Sequence, residues 1–314
     1  MKSLSKGFLV LLSLALGAAC LPTPKAEVPD QPAQPAQSAA RAVTETPTPT
    51  ATPAPPPTET TTPTITPTVV LDEKPQEVTF QAEDGQQLRG WYYPAEVNPA
   101  PVVVLFHWAR GDQAEWRAVA AWIQNRGLEV EVDPSRMWLH PQWFPERTAE
   151  QPVGVFTFTF RECQGGCRAW LSSEWLLDVR AAMNTAAGLH GVDPQQILTV
   201  GASIGADGAV DGCAWLNANQ AGQCRGAFAM SPASYLTVPF SEAAASLLEA
   251  DPPLPVYCAF SRRDDGAWET CSDVEQARLI DYQYADFHGL EMIQLEREPH
   301  ILTVLDEFIE ASLP

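Results

Sequence analysis

The chain has 314 residues, of which 45% are hydrophobic and 18% are charged, and 39 acidic side chains against 19 Lys and Arg give it a formal net charge of −20. This acidity argues against a nucleic-acid-binding protein, which neutralises phosphates with clustered basic side chains. It also disfavours polyanionic substrates and a polybasic membrane contact. The length allows one large domain with an accessory segment, or two small domains.

The first twenty residues have the organisation of an export signal. Lys2 and Lys6 precede an apolar run over residues 8–16, and small residues at 17–19 lead to Cys20. The run is shorter than the ~20 apolar residues that span a membrane. The end of this segment resembles a bacterial lipobox, with Gly17 where that motif usually has Leu. The resemblance implies a signal peptide at residues 1–19 and a lipid anchor on Cys20; the alternative is an ordinary cleaved signal and a secreted protein.

A linker is predicted at residues 20–75. Residues 21–75 contain 14 Pro, 13 Thr and no aromatic residue, so this segment cannot bury enough apolar surface to offset the entropy of folding. A Pro/Thr-rich stretch of this kind forms a semi-extended spacer. Residues 76–314 remain for one compact domain with a sizeable core.

Six further cysteines lie in this domain: Cys163, Cys167, Cys213, Cys224, Cys258 and Cys271. An even number in an exported protein predicts disulfides, although six cysteines allow fifteen pairings. We expect nearest neighbours to pair (163–167, 213–224 and 258–271), because each pair closes a short loop. A zinc site is the competing interpretation, and it lacks a C-x-x-C motif or a nearby His.

The hydrophobic pattern alternates strands with helices. Strands are predicted at Gln76–Gln81, Leu88–Tyr93, Pro101–Phe106, Val153–Phe160, Ile197–Val200, Gly226–Met230, Val256–Phe260 and Asp281–Ala285. Helices are predicted at Ala114–Arg126, Trp175–Leu189, Ile204–Leu216, between the last two strands, and at Ile301–Leu313. The first two strands predict an antiparallel hairpin, and the helical connections predict a mainly parallel sheet of about eight strands flanked by helices. The fold class is therefore α/β.

An irregular insert at Met137–Phe144 is rich in apolar and aromatic residues. Long ordered loops of this composition either cover a pocket or pack on the surface. The sequence leaves both interpretations open.

A G-x-S-x-G motif, Gly201 to Gly205, follows a predicted strand and opens a helix. This is the setting of a nucleophile elbow, in which Ser203 occupies a strained turn and the glycines avoid clashes. The helix N-terminus adds positive potential where an oxyanion develops.

A serine nucleophile needs a base, and only His288 and His300 follow Ser203 in the chain. His288 follows a predicted strand, so we favour it on position, because ligand chemistry in parallel sheets occurs at the carboxyl ends of strands. The acid that orients the imidazole is expected after the preceding strand; we choose Asp264, with Asp265 as the alternate.

The oxyanion requires two backbone donors. One is the amide of Ile204, directly after the nucleophile. The other is expected from the loop after the third strand, where Trp108 or Ala109 can supply it. His107 in that loop is interpreted as a structural residue that orients it.

These motifs resemble those of the α/β-hydrolase superfamily, in particular its dienelactone-hydrolase-like and esterase-like members, over residues 76–314. The segments that carry the resemblance are Phe106–Gly111, Phe158–Gly166, Gly201–Gly205, Ser261–Asp264 and His288–Gly289. The second of these departs from the family pattern at Thr159, Glu162 and Cys163. The resemblance implies a Ser203–His288–Asp264 triad, with the Ile204 and Trp108 amides binding the oxyanion.

The function expected is that of a membrane-tethered, extracytoplasmic carboxylesterase that cleaves uncharged acyl esters without metal or organic cofactor. No nucleic-acid or obligate protein partner is expected. A serine peptidase or thioesterase would use the same groups. A non-catalytic binding lipoprotein on a hydrolase scaffold, or a transport-system binding lipoprotein, is the alternative class. The first of these would lack a triad member, and the second would show two similar lobes.

Overall fold

The structure is a computed structural model that describes residues 74–126, 130–131, 133–148, 150–283, 286–294 and 298–313. The predicted signal peptide at residues 1–19, the predicted lipid-attachment residue Cys20 and residues 20–73 of the predicted linker lie outside the described residues. The chain divides into two units, Met1–Pro63 and Thr64–Pro314. The fold described below belongs to the second unit.

Eight strands form one sheet within the described residues: β1 Gln76–Gln81, β2 Gln87–Tyr93, β3 Ala100–Phe106, β4 Gly154–Thr159, β5 Val192–Ala202, β6 Cys224–Met230, β7 Val256–Ser261 and β8 Arg278–Tyr282. Their order is β1-β2-β4-β3-β5-β6-β7-β8. The β1–β2 and β2–β4 pairs are antiparallel, and every pair from β4 to β8 is parallel. The predicted hairpin and the mainly parallel sheet are confirmed.

Six α-helices are described: α1 Arg117–Gln124, α2 Ser172–Gly188, α3 Ile204–Asn219, α4 Phe240–Leu248, α5 Asp265–Ser272 and α6 Ile301–Ser312. The buried side chains of α2 to α5 share one apolar core with the sheet, and those of α1 and α6 share the other. The sheet is therefore covered on both faces, as crossover helices require.

Strand β3 shows how the sequence divides between the two cores. All seven of its residues are buried. Val102, Val104 and Phe106 pack in the core under α2 to α5, while Val103 and Leu105 pack in the core under α1 and α6. Successive strand side chains point to opposite faces, so a continuous apolar run marks a central strand.

Two strands differ from the prediction by three residues or more. Strand β5 begins at Val192 rather than Ile197 because its first residues pair with the start of β3. Strand β8 is Arg278–Tyr282 rather than Asp281–Ala285; it is an edge strand that buries only Ile280 and Tyr282, which weakens the apolar signal. Residue 285 lies outside the described residues.

Helix α4 has no counterpart in the prediction. Its buried residues are Phe240, Ala243, Ala244 and Leu247, and this i, i+3, i+4, i+7 spacing is that of an amphipathic helix. The signal was therefore present in the sequence.

Three disulfides join the nearest-neighbour pairs, as expected. Cys163–Cys167 closes the loop after β4, Cys213–Cys224 ties α3 to the start of β6, and Cys258–Cys271 ties β7 to α5. None of these cysteines is therefore available as a zinc ligand. No helix among the described residues combines the length and the apolar character needed to cross a membrane.

Candidate active site

Ser203 lies between β5, which ends at Ala202, and α3, which begins at Ile204. Its backbone has φ 55° and ψ −121°, a conformation that L-residues rarely adopt and that stores strain at functional sites. The amide of Ser203 donates to the Met230 carbonyl at 2.8 Å, which fixes the turn against β6. The side chain is thus held at the carboxyl edge of the sheet.

The two glycines of the motif are required by close backbone approach. A Cβ at Gly201 would lie 1.8 Å from the Gly205 carbonyl oxygen, and a Cβ at Gly205 would lie 2.2 Å from the Phe106 carbonyl oxygen. Any side chain at either position would therefore displace backbone. The second contact also shows that the turn presses directly on the end of β3.

The side chains of Ser203, His288 and Asp264 form a continuous hydrogen-bonded chain. The Nε2 atom of His288 lies 2.8 Å from the Ser203 Oγ atom, and its Nδ1 atom lies 2.6 Å from Asp264 Oδ2. A carboxylate facing Nδ1 places the ring proton there, which leaves Nε2 free to accept the serine proton. Such an arrangement can supply a nucleophile, a base and an orienting acid.

The loops that carry His288 and Asp264 are each fixed by local hydrogen bonds. The amide of His288 donates to Glu291 at 3.2 Å, and the amide of Gly289 donates to the Ser231 hydroxyl at 2.9 Å. Asp264 follows β7, and its amide donates to the Ser261 carbonyl at 2.9 Å. Both side chains therefore emerge from the carboxyl ends of neighbouring strands.

The alternate residues occupy other positions. His300 caps α6, since its Nδ1 atom accepts the Leu302 amide at 3.1 Å. Burial lowers the pKa of His300. This favours the neutral imidazole, whose Nδ1 atom can accept the hydrogen bond. Asp265 is exposed and begins α5. The structure therefore brings His288 and Asp264 to Ser203, and not His300.

The loop after β3 lies beside the nucleophile. A Cβ at Gly205 would lie 2.6 Å from the His107 carbonyl oxygen as well as against Phe106, and a Cβ at Gly289 would lie 3.1 Å from the Trp108 ring. The residue proposed as the second oxyanion donor, Trp108, is therefore packed between the elbow and the His288 loop. Its side chain is fully buried.

His107 holds this loop to β4. Its Nδ1 atom lies 2.7 Å from the Trp108 carbonyl oxygen, and its Nε2 atom accepts the Phe160 amide at 3.0 Å. The ring is therefore a neutral tautomer with its proton on Nδ1. Burial lowers the pKa of His107 to about 4, so it stays neutral. This geometry is that of a structural residue.

A partly buried ion pair between Glu115 and Arg136 packs against Trp108. The Trp108 indole donates to the Glu115 carboxylate, and Arg136 Nε contacts that carboxylate at 2.7 Å. Burial raises the pKa of Glu115, while the bonds from Trp108 and Arg136 oppose the shift. Arg136 also lies over the rings of Trp108 and Trp138, at 5.8 and 5.4 Å, where cation–π attraction adds to the packing.

The aromatic insert contacts Trp108 and Arg136 through Trp138. Within it, Met137–Leu139 and Pro141–Trp143 form short 3-10 turns. Trp138 meets the Trp108 ring edge-on at 6.4 Å, while Met137 is 53% and Trp143 40% exposed. The insert therefore packs against the oxyanion loop and leaves two apolar side chains in solvent.

Two residues at the site, Tyr235 and Asp207, were not predicted from the sequence. Tyr235 lies on the loop after β6, and its ring centroid lies 6.4 Å from that of His288. Asp207, in the first turn of α3, accepts the amides of that loop. The carboxyl end of β6 meets the same sheet edge as the triad, and this was the one signal for Tyr235. No group of three or more His, Cys, Asp or Glu in the described part of the chain is arranged to hold a metal ion.

The eight-stranded, mostly parallel sheet flanked by helices is the α/β-hydrolase fold. Esterase Pf2001 of Pyrococcus furiosus is similar to this chain with a TM-score of 0.51 and 16% identity over 79% of this chain and 99% of that one. Dienelactone hydrolase of Anabaena variabilis has a TM-score of 0.51 and 13% identity over 76% and 99%. The metagenomic carboxylesterase EstE1 has a TM-score of 0.51 and 15% identity over 78% and 92%.

Two curated proteins are similar in sequence. The uncharacterized protein YfhR of Escherichia coli K12 is 29% identical over 137 residues, which are 43% of this chain and 40% of YfhR. YfhR of Escherichia coli O157:H7 is 30% identical over 131 residues, which are 41% and 38% of the two chains. The matched region thus spans about two fifths of these relatives. No family model matches the chain.

Proposed function

We propose that this protein is a serine hydrolase, and specifically a carboxylesterase that cleaves uncharged acyl esters. The observation that carries the proposal is the hydrogen-bonded chain from Ser203 through His288 to Asp264, on a strained turn at a helix N-terminus. Esterases and a dienelactone hydrolase among proteins of similar fold support the ester bond as substrate. The net charge of −20 disfavours anionic substrates.

In the proposed reaction, Ser203 attacks the ester carbonyl while His288 takes the serine proton. The Asp264 carboxylate stabilises the imidazolium that forms, and the amides of Ile204 and Trp108 bind the oxyanion. His288 then gives its proton to the alkoxy oxygen, and the alcohol leaves. Water, activated by His288 in the same way, hydrolyses the acyl-enzyme.

We also propose that the protein is extracytoplasmic and anchored to the membrane by a lipid. Three disulfides in the fold support an oxidising, extracytoplasmic compartment. The signal-like residues 1–19 and the cysteine at position 20 support a lipid anchor, with the Pro/Thr-rich linker as a spacer.

The test is covalent labelling of the purified full chain with a fluorophosphonate probe, together with hydrolysis of p-nitrophenyl acetate and butyrate. We expect labelling and turnover, and the loss of both in Ser203→Ala. Ser246→Ala is the matched control, because Ser246 is exposed on α4 and its hydroxyl donates to the Ala243 carbonyl at 2.7 Å. Robust labelling of Ser203→Ala, or no ester turnover by the unmodified chain, would refute the assignment.

A further inference from the structure

Glu291 connects the loop of His288 to the loop that follows β3. Its Oε2 atom accepts the His288 amide at 3.2 Å, and its Oε1 atom lies 3.1 Å from the Arg110 guanidinium. The two oxygens of one carboxylate therefore contact two different loops of the candidate site.

The contacts between Glu291 and His288 are reciprocal. The Glu291 amide donates to the His288 carbonyl at 3.2 Å, while the Glu291 carboxylate accepts the His288 amide. A short 3-10 helix, Gly289–Gln294, begins directly after His288, and reciprocal bonds between residues i and i+3 are typical of a capped helix start. The backbone of His288 is thus held by Glu291 at both its amide and its carbonyl.

The loop that carries Arg110 is itself fixed at two consecutive carbonyls. The Cys167 amide donates to the Ala109 carbonyl at 2.8 Å, and the Arg136 guanidinium donates to the Arg110 carbonyl at 2.9 Å. The Arg110 guanidinium also lies 5.5 Å from the centre of the Trp108 ring, where cation–π attraction favours its position. Arg110 therefore extends from a fixed segment of chain toward the loop of the proposed base.

The ion pair between Arg110 and Glu291 is too exposed to contribute much to global stability. The Arg110 side chain is 61% exposed and that of Glu291 is 24% exposed. Pairs of this kind stabilise the folded state only weakly, because water and salt screen them. Any larger effect must come from the location of the pair, which joins the loop of the proposed base to the loop of the proposed oxyanion donor.

We propose that Glu291 is a positioning residue for the reaction, and that its pair with Arg110 sets the place of His288 relative to the amide of Trp108. This inference rests on the proposed function. The imidazole must reach the Ser203 hydroxyl while the oxyanion amides face the same carbonyl group, and a misplacement of ~1 Å in such an alignment can cost about 10²-fold in rate. Glu291 acts through the backbone of His288.

Three single substitutions separate the two contacts of Glu291. Glu291→Ala removes both contacts, so we expect kcat on p-nitrophenyl butyrate to fall roughly 10–100-fold, with KM within about 2-fold of the unmodified chain. Glu291→Gln keeps an oxygen that can accept the His288 amide but loses the charge, and Arg110→Ala removes the pair from the other side. Each of these two should lose roughly 3–10-fold in kcat.

A double variant tests whether Arg110 acts through Glu291. Arg110→Ala combined with Glu291→Ala should match Glu291→Ala within about 2-fold, whereas two independent residues would give the product of the single losses. Glu307→Ala is the matched control, because Glu307 forms an exposed ion pair with Arg278, at 2.6 Å, at the amino end of β8. It should leave kcat unchanged within about 2-fold, and calorimetry should place the Tm of every variant within about 3 °C of the unmodified chain.

A fall in kcat at constant KM and Tm, without a further fall in the double variant, supports the assignment. Unchanged kcat in Glu291→Ala, a rise in KM alone, or a double variant whose losses multiply overturns it. If Glu291→Ala lowers Tm, the exposed Arg110→Ala decides: lower kcat at unchanged Tm supports the role, and unchanged kcat overturns it. Ser203→Ala, measured in parallel, keeps the two proposals apart, because its inactivity supports the serine mechanism whatever the outcome for Glu291.

Discussion

Replacement of Asp211 by Asn should stabilise the folded protein, and increasingly so as the pH rises. Asp211 is 4% exposed on α3, and both of its carboxylate oxygens are buried without a hydrogen-bond partner in the described part of the chain. Burial, together with the carboxylate of Asp207 one turn away, raises the pKa of Asp211 from 3.8 to about 8. Arg180 on α2 opposes this shift, and Glu242 on α4 adds to it.

Proton linkage gives the sign and the size of this stability difference. Between pH 3.8 and about 8 the folded protein holds a proton on Asp211 that the unfolded chain has released. The free energy of unfolding therefore falls with rising pH across that window, by about 1.4 kcal/mol per pH unit. Asn mimics the protonated acid and does not titrate, so its advantage is near zero at pH 4, on the order of 4 kcal/mol at pH 7, and constant above pH 8.

Urea unfolding of the oxidised protein, followed by tryptophan fluorescence at pH 4, 5.5, 7 and 8.5, measures this difference. Asp251→Asn is the control, since Asp251 is exposed and its replacement should leave stability unchanged within about 0.5 kcal/mol. A gain in Asp211→Asn that does not vary with pH, or a loss of stability at pH 8.5, would show that the carboxylate is solvated or paired in the folded state.

Two further substitutions test the site. Gly205→Ala should abolish ester turnover and lower Tm, because its Cβ would lie 2.2 Å from the Phe106 carbonyl; calorimetry and kinetics check this, and a stable, active variant would contradict the close approach. Glu115→Ala should lower kcat by roughly 10–10² with KM little changed, because Trp108 loses its partner and the amide that we propose to bind the oxyanion is displaced. The control is Glu131→Ala, because Glu131 is exposed and lines the same surface cavity as Glu115; a change in KM alone would argue against the role.

The sequence was informative where the constraint is local. The elbow can be read from Gly201, Ser203 and Gly205 because the strained turn and its two close approaches lie within one short segment. The choice of His288 over His300 rested on strand order, and the same order brings the imidazole to the serine. The positions of Ser203 and of His288 both follow from the rule that site residues occupy the carboxyl ends of parallel strands.

What the sequence could not show depends on packing between distant segments. Tyr235 is one aromatic residue among many until the Asp207 carboxylate binds its loop. Glu115 looks like a surface acid in a helical pattern, yet it is enclosed by Trp108 and Arg136, which approach from different loops. Neither contact leaves a periodic pattern, because each is made once and across the fold.

Two of the three disulfides lie at loops of the candidate site, and the third ties α3 to the start of β6. Cys163–Cys167 lies where the Cys167 amide bonds the carbonyl of Ala109 at 2.8 Å, Cys213–Cys224 braces the nucleophile helix, and Cys258–Cys271 spans the acid turn. The loop of His288 has no such crosslink among the described residues. The disulfides thereby restrain the loop after β3, the turn of Asp264 and the helix that follows Ser203. On heating, the His288 loop is therefore expected to move first. Inactivation should then begin as a reversible displacement of the His288 side chain, at a temperature below that of global unfolding.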